Sequence, residues 1–317
     1  MGAWAHRPRE KMRVLITGGT GFIGRPLVAH LAGLGYDCAV LTRDAARAAR
    51  CGFPASVKIA PGDGPLPPAD AVIHLAGESI VGLWTARKRR AILASRVEGT
   101  RRLIAALRAS RVRPHTLLAA SAVGIYGDRP GEALDETAPL DPAMRFRAVV
   151  CREWESAANE AADLGLRVVN LRIGNVLDPS GGYLAGLLPI YRLLGGVELG
   201  NPEAAISWVA REDAVRLIAF ALANDRWFGP LNVTAPAPVT QREFTAELAL
   251  ALHRRVTVRL PPCLLETTLG EFSRALLDDQ RILPAKAAAA RFPFAHPNLW
   301  DCLGDCETNR RASCAKT

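Results

Sequence analysis

Short apolar runs alternate with longer amphipathic stretches through the first half of the chain, the pattern of strands joined by crossover helices. Strands are predicted at 13–17, 38–42, 57–60, 71–75, 116–121 and 167–172, with helices near 22–34, 44–50, 84–110 and 145–164. Six strands with helical crossovers predict an α/β fold, a doubly wound parallel sheet whose ligand crevice lies at the C-terminal ends of its strands. After about residue 177 the pattern loosens. A glycine-rich connection begins at DPSGGYLAG, and a strand near 230–233, a helix at 240–253 and a strand at 256–259 predict a smaller C-terminal α+β lobe. The expected organisation is a sheet domain over 12–177, rejoined by part of 204–228, and a smaller substrate lobe over 178–302. Residues 1–11 and 303–317 are expected to be flexible ends.

The first strand carries the strongest local signal. Val14-Leu15-Ile16 runs into Thr17, then Gly18, Gly21 and Gly24, then the helix-compatible RPLVAHLAGLG. Strand, glycine turn and helix start in that order make a dinucleotide-binding (Rossmann) unit. The first glycine permits the tight turn, the second lets backbone approach a pyrophosphate, and the third lets helix pack on strand. The second strand ends in Leu41-Thr42-Arg43, with Arg43 nineteen residues beyond Gly24. An acidic residue there would bond the ribose 2′-hydroxyl of NAD, whereas an arginine accommodates the 2′-phosphate of NADP. The expected cofactor is therefore NADP(H), with Asp44 read as a helix N-cap. The fourth strand ends in His74-Leu75-Ala76-Gly77-Glu78, whose small residues leave room for adenosine and diphosphate. His74 itself reads as an ordinary strand residue.

Composition narrows the remaining classes. Hydrophobic residues make up 49% of the 317, enough for a full core, yet no apolar run approaches the ~20 residues of a membrane helix. Without an apolar signal core near residue 1, a cytoplasmic protein with no membrane partner is expected. Seven cysteines are an odd number, so a disulfide framework is not expected, and Cys302 with Cys306 lacks the second pair of a zinc set. The formal charge is +9, and only five of the 40 basic residues are lysine. The sharpest cluster, Arg87-Lys88-Arg89-Arg90, reads as a solvated helix face. Nucleic acid is not the expected partner, since no aromatic residues interleave with those cations.

GGTGFIG, HLAG, SRVEGT, AVGIYGD and LRIGNV, in this order, resemble the extended short-chain dehydrogenase/reductase superfamily, and within it the atypical epimerase-like branch. Trp84, Ser95-Arg96, Trp154-Glu155 and Ser207-Trp208-Val209 before Asp213 extend the likeness. LGEFSRALLDDQRILPAKAAAARFPF is similar to that branch's terminal domain of unknown function, so the resemblance spans roughly 12–300. It implies a cofactor site made of Gly18, Thr20, Gly21, Phe22 and Ile23, with Gly24 supporting the helix. Thr42 and Arg43 would take the 2′-phosphate, Leu75 and Ala76 the diphosphate-to-ribose span, Arg96 a phosphate or ribose contact, and Val176 the nicotinamide pocket. The segment LLGGVELGNPEAAISWV departs from the branch by lacking its glycine–glutamine spacing, so the substrate wall is expected to differ.

The superfamily's usual chemistry uses a tyrosine and a lysine four residues apart on one helix, with a hydroxyl residue on the preceding strand. This chain offers the hydroxyl as Ser121. In CREWESAANEA the tyrosine slot falls on Val150 and the lysine slot on Trp154, and no tyrosine lies between Tyr126 and Tyr183. A one-residue slip offers Cys151 and Glu155 instead. Three substitutes for the proton donor are open: Tyr126 against a packing role, Cys151 against a core thiol, and Glu78 against a surface carboxylate. The expected function is an NADP(H)-dependent oxidoreductase or epimerase-like enzyme acting on a small polar, sugar-nucleotide-like substrate. The alternative is a non-catalytic NADP-binding regulator or scaffold. Helices 84–110 and 145–164 leave a homodimer open.

Overall fold

Seven strands form one parallel sheet in the computed structural model, which describes residues 11–143 and 145–304. They are β1 (Arg13–Thr17), β2 (Asp37–Thr42), β3 (Lys58–Pro61), β4 (Ala71–His74), β5 (Thr116–Ala122), β6 (Arg167–Ile173) and β7 (Gly229–Val233). Their order across the sheet is β7-β6-β5-β4-β1-β2-β3, every neighbour parallel. The winding reverses between β1 and β4, where Thr17 stands in register with His74. A doubly wound sheet opens its ligand crevice at that point. The expectations for residues 1–10 and 305–317, and for Cys306, fall outside the described residues.

Alternation along β1 shows how two helical layers are held. Val14 and Ile16 face one side and join Leu27, Val28 and Leu31 of helix α1 (Gly24–Gly33). After the short α2 (Ala45–Ala49), Leu15 faces the other layer, where Leu103, Ile104 and Leu107 of α3 (Ala86–Ala109) cover it. Helix α4 (Phe146–Asn159) packs beside α3 on that face. Among the described residues no helix is long and apolar enough to cross a membrane.

One placement differs from the sequence reading. The strand near 230–233, assigned there to the smaller lobe, is the edge strand β7 of the central sheet. Helix α6 (Arg211–Ala223) is its crossover, burying Ala214, Leu217 and Ile218 against the α1 layer. The glycine-rich connection also contains α5 (Gly182–Leu194), which α7 (Gln241–Ala251) joins in a second core around Tyr191, Trp208 and Phe244. That core also takes in Cys302 and Leu303.

Residues 278–286 cross back over the loop that leaves β5. Arg281–Ile282 pairs with Ala133–Leu134, and Gln280 Nε2 donates to the carbonyls of Val123 (3.2 Å) and Gly127 (2.7 Å). Gln280 is buried, so these bonds tie the two segments where water cannot replace them.

Candidate functional site

The glycine turn is built to the limit of backbone contact. Gly18 has φ +71°, and a Cβ there would stand 2.6 Å from the Leu75 carbonyl carbon. A Cβ on Gly24 would run into the Gly18 carbonyl oxygen. Only hydrogen fits at either place, which brings the start of α1 against β1 and leaves the loop after β4 touching the turn. Helix α1 has no side-chain cap and no acidic residue in its first turn, so its positive end faces the crevice without a carboxylate of its own, although Arg25 N and Leu27 N already donate to the Gly21 and Ile23 carbonyls.

His74 closes the floor of this crevice. Its Nε2 lies 3.0 Å from Thr100 Oγ1, and its Nδ1 lies 2.6 Å from Thr17 Oγ1. Thr100 already donates to the Arg96 carbonyl, so it accepts from Nε2–H, and Nδ1 accepts from Thr17. Burial holds the imidazole neutral, its pKa pulled from 6.5 down to about 4. The unfolded chain takes up this proton below about pH 6.5 and the folded chain does not. Stability is therefore full above that pH and falls as pH drops toward 4, by ~1.4 kcal/mol per unit. The expected loss from this residue is about 2 kcal/mol at pH 5; urea unfolding of wild type and His74→Gln at pH 7 and 5 reads it as a flatter pH dependence in the variant.

The other cofactor candidates lie along the same strand ends. Asp44 caps α2 by accepting from Arg47 N (2.8 Å), and Thr42 Oγ1 accepts from Asp44 N, which leaves Arg43 exposed at the tip of β2. Arg96 donates to the Glu78 carbonyl (2.9 Å) and lies over Trp154, 4.9 Å from its ring. Leu75 and Ala76 follow β4 directly, and Thr20, Gly21 and Ile23 complete the turn. Phe22 turns away to fill the space over Gly181 and Gly182, with Arg211 5.1 Å above its ring. Val176 is buried on a short strand, Asn175–Asp178, that pairs with Trp208–Ala210.

The catalytic candidates fare differently. Ser121 is buried and donates to Glu155 Oε1 at 2.7 Å, so its hydroxyl faces the α4 layer. Tyr126 has no exposed surface. Its hydroxyl donates to Asn232 Oδ1 (2.8 Å) and accepts from Arg172 Nη1 (2.9 Å), and burial raises its pKa despite the Arg172 charge. Enclosure on every side supports the packing role and not the acid. Burial pushes the Cys151 thiol up to about 11, against the nearby Arg147 and Arg96 charges, which favours the protonated thiol over the thiolate. Glu78 is exposed and tied to Lys88 Nζ at 2.7 Å, which holds its pKa below the usual carboxylate range.

Arg172, and its pairing with Glu155, is what sequence reasoning passed over. Arg172 Nε and Nη2 meet the two Glu155 oxygens at 2.8 and 2.9 Å, with both side chains under a tenth exposed. Burial works against the Arg172 charge, but the Glu155 bond holds its pKa above the ordinary value. The signal was present in the sequence as an arginine between Leu171 and Ile173, in a strand whose centre is buried. The Arg87–Arg90 cluster is partly spent on the protein itself, since Lys88 pairs with Glu78 and Arg89 with Glu271.

Comparison with known proteins places this geometry. The NAD dependent epimerase/dehydratase family matches residues 14–233, and a domain of unknown function, DUF1731, matches 260–306. The epimerase family protein YfhF of Bacillus subtilis is 34% identical over 306 residues, 95% of this chain and 99% of that protein. A chloroplastic SDR39U1 homolog of Arabidopsis thaliana is 35% identical, over 93% of this chain and 86% of that one. Among solved structures, human epimerase family protein SDR39U1 with NADPH superposes with a TM-score of 0.83 at 27% identity, covering 94% of this chain and all of that one. UDP-glucose 4-epimerase of Thermus thermophilus in complex with NAD gives 0.72 at 26% identity, over 92% and 97%. The glycine cradle, the reversal of winding beside it and the module folded back from residue 260 are thus one inherited arrangement, and this chain belongs to the NAD dependent epimerase/dehydratase family.

Proposed function

We propose that the protein binds NADP(H) and is an oxidoreductase or epimerase-like enzyme for a small polar substrate. The observation that carries this reading is the exposed Arg43 at the tip of β2, beside a turn in which a side chain at Gly18 or Gly24 has no room. An NADPH complex of the human relative supports the same choice of cofactor. Gly18, Thr20, Gly21 and Ile23 would receive the pyrophosphate, with Phe22 walling the turn against Gly181 and Gly182. Thr42 and Arg43 would hold the 2′-phosphate, Leu75 and Ala76 the diphosphate-to-ribose span, Arg96 a phosphate or ribose, and Val176 would line the nicotinamide pocket. The bound dinucleotide supplies hydride chemistry; the chain supplies orientation and a water-poor wall.

A second reading, an NADP-responsive regulator or scaffold, is favoured by one feature. Helix α4 carries neither tyrosine nor lysine, and Ser121 and Tyr126 are bound into a buried network. Titration of the purified chain with NADPH and NADH, followed by nicotinamide fluorescence, is expected to show tighter binding of NADPH. No binding of either would overturn the proposal, while tight binding without oxidation of NADPH across a panel of ketones and sugar nucleotides would favour the regulator.

A further inference from the structure

A cavity of about 180 Å³ lies between the loop leaving β5, the start of α4 and the C-terminal module. Trp84 and Phe146 form an aromatic wall, their rings 5.3 Å apart, and Gly124, Asp141, Arg147, Arg274 and Asp278 are among the residues that line the rest. It touches the loop that follows Ser121 through Gly124. Arg147 stands one helical turn before Cys151, beside the slot where relatives of this superfamily carry tyrosine, and its charge acts on that thiol.

Two carboxyls of the cavity, Asp141 and Asp278, keep a buried oxygen without a hydrogen-bond partner, and Asp278 is the one that Arg147 holds. Its side chain is 6% exposed, Oδ2 accepts from Arg147 Nη1 at 3.0 Å, and Oδ1 is buried with no hydrogen-bond partner. Arg147 is held in turn by the Arg274 carbonyl at 2.7 Å, and its Nε and Nη2 press on Gly124, 3.1 Å from where a Cβ would stand. A carboxyl with one cation, one orphaned oxygen and a cavity beside it is placed like a general acid.

We propose that Asp278, supplied by the C-terminal module and positioned by Arg147, is the proton donor of this site, serving a compact carbonyl substrate that stacks on Trp84 and Phe146. The inference rests on the function proposed above. It also gives the module of unknown function a part in the chemistry, because residues 271–278 supply the carboxyl that Arg147 holds and the outer wall of the cavity. A cavity of this volume falls below the several hundred Å³ usual for larger ligands, which points to a small carbonyl compound and not to a whole nucleoside-diphosphate sugar. Reducing a carbonyl takes two electrons and two hydrogens. The reduced nicotinamide dinucleotide class supplies the electrons with one hydrogen, delivered to carbon. As the C=O π pair moves onto oxygen, the O–H bond of Asp278 breaks and its proton goes to that oxygen. The carboxylate left behind faces Arg147 and regains a proton from water.

Burial raises the Asp278 pKa, helped by Asp128 and opposed by Arg147, Arg145 and Arg274, which favours the acid form the step requires. Infrared difference spectra of the full chain test this without any substrate. As pH is lowered, a carboxylic-acid carbonyl band is expected to appear in wild type at a higher pH than for an ordinary aspartate, to be absent in Asp278→Asn and shifted in Asp278→Glu. Isatin, a compact aromatic dicarbonyl, serves as the probe for turnover. Asp278→Asn is expected to lower kcat for its reduction by about a hundredfold or more, Asp278→Glu to restore part of it, and the wild-type rate to fall as pH rises. Identical spectra for wild type and Asp278→Asn, or equal isatin turnover, overturn the proposal; if wild type leaves isatin untouched, the spectra alone decide. A parallel NADPH titration separates the two failures, because loss of cofactor binding sinks the functional reading while the infrared band still reports on Asp278.

Discussion

Arg43→Asp is expected to weaken NADPH binding by at least about thirtyfold while leaving NADH within a few-fold of wild type. The guanidinium stands exposed at the end of β2 with Asp44 committed to capping α2. Nothing else on that strand end supplies a positive charge, so the 2′-phosphate would lose its cation and meet a carboxylate. A hydrogen bond between charged groups contributes about 1.5–3 kcal/mol, and reversing the charge adds repulsion. A loss of about 2–4 kcal/mol corresponds to roughly thirtyfold to a thousandfold in Kd. Fluorescence titrations with both dinucleotides measure it directly. Equal weakening of NADPH and NADH would mean that the mutation damaged the turn and not a phosphate contact, and no weakening would remove the argument for NADP.

The largest effect on stability is expected from Glu155→Leu. The change strands Arg172 in a site where both partners are under a tenth exposed, and also takes the acceptor from Ser121. Removing one member of a buried pair costs about 3–5 kcal/mol, mostly because the other charge stays buried without a counterion. Replacing both, as Glu155→Leu with Arg172→Met, is expected to recover most of that loss. Tyr126 would still donate to Asn232 in the double variant, so the hydroxyl is not orphaned. Urea unfolding of wild type, Glu155→Leu, Arg172→Met and the double variant forms the cycle. A single-variant cost under about 1 kcal/mol would show that water reaches Arg172 and that the pair is not sealed.

The sheet was legible because parallel strands buried on both faces read as short apolar runs, and the runs at 13–17, 71–75 and 116–121 lie where β1, β4 and β5 form. The glycine turn was legible too, since it is a local device and Gly18, Gly21 and Gly24 sit within seven residues. Strand β7 was misplaced for the opposite reason. Its partner β6 lies some sixty residues earlier, with α5 and α6 between, and nothing in PLNVT names that partner. The same holds for the catalytic side. Ser121 pointed toward a substrate as long as only its neighbours in sequence were considered, but its hydroxyl is claimed by Glu155, thirty-four residues away. Asp278 is more distant still, 131 residues from the arginine it pairs with. Local signals reported on backbone shape, whereas side-chain partnerships came only with the fold.

The strap at 278–286 has a consequence for how the protein is made. A chain emerging from the ribosome can wind β1 to β7 by the time residue 233 appears, yet Val123 and Gly127 wait for Gln280. Domains assemble from the N-terminal side during synthesis, and contacts this far apart in sequence close late. A nascent intermediate should therefore have its glycine turn formed while the cavity beside Gly124 is still open on one side. Finishing the last module converts a generic holder into a chamber with walls.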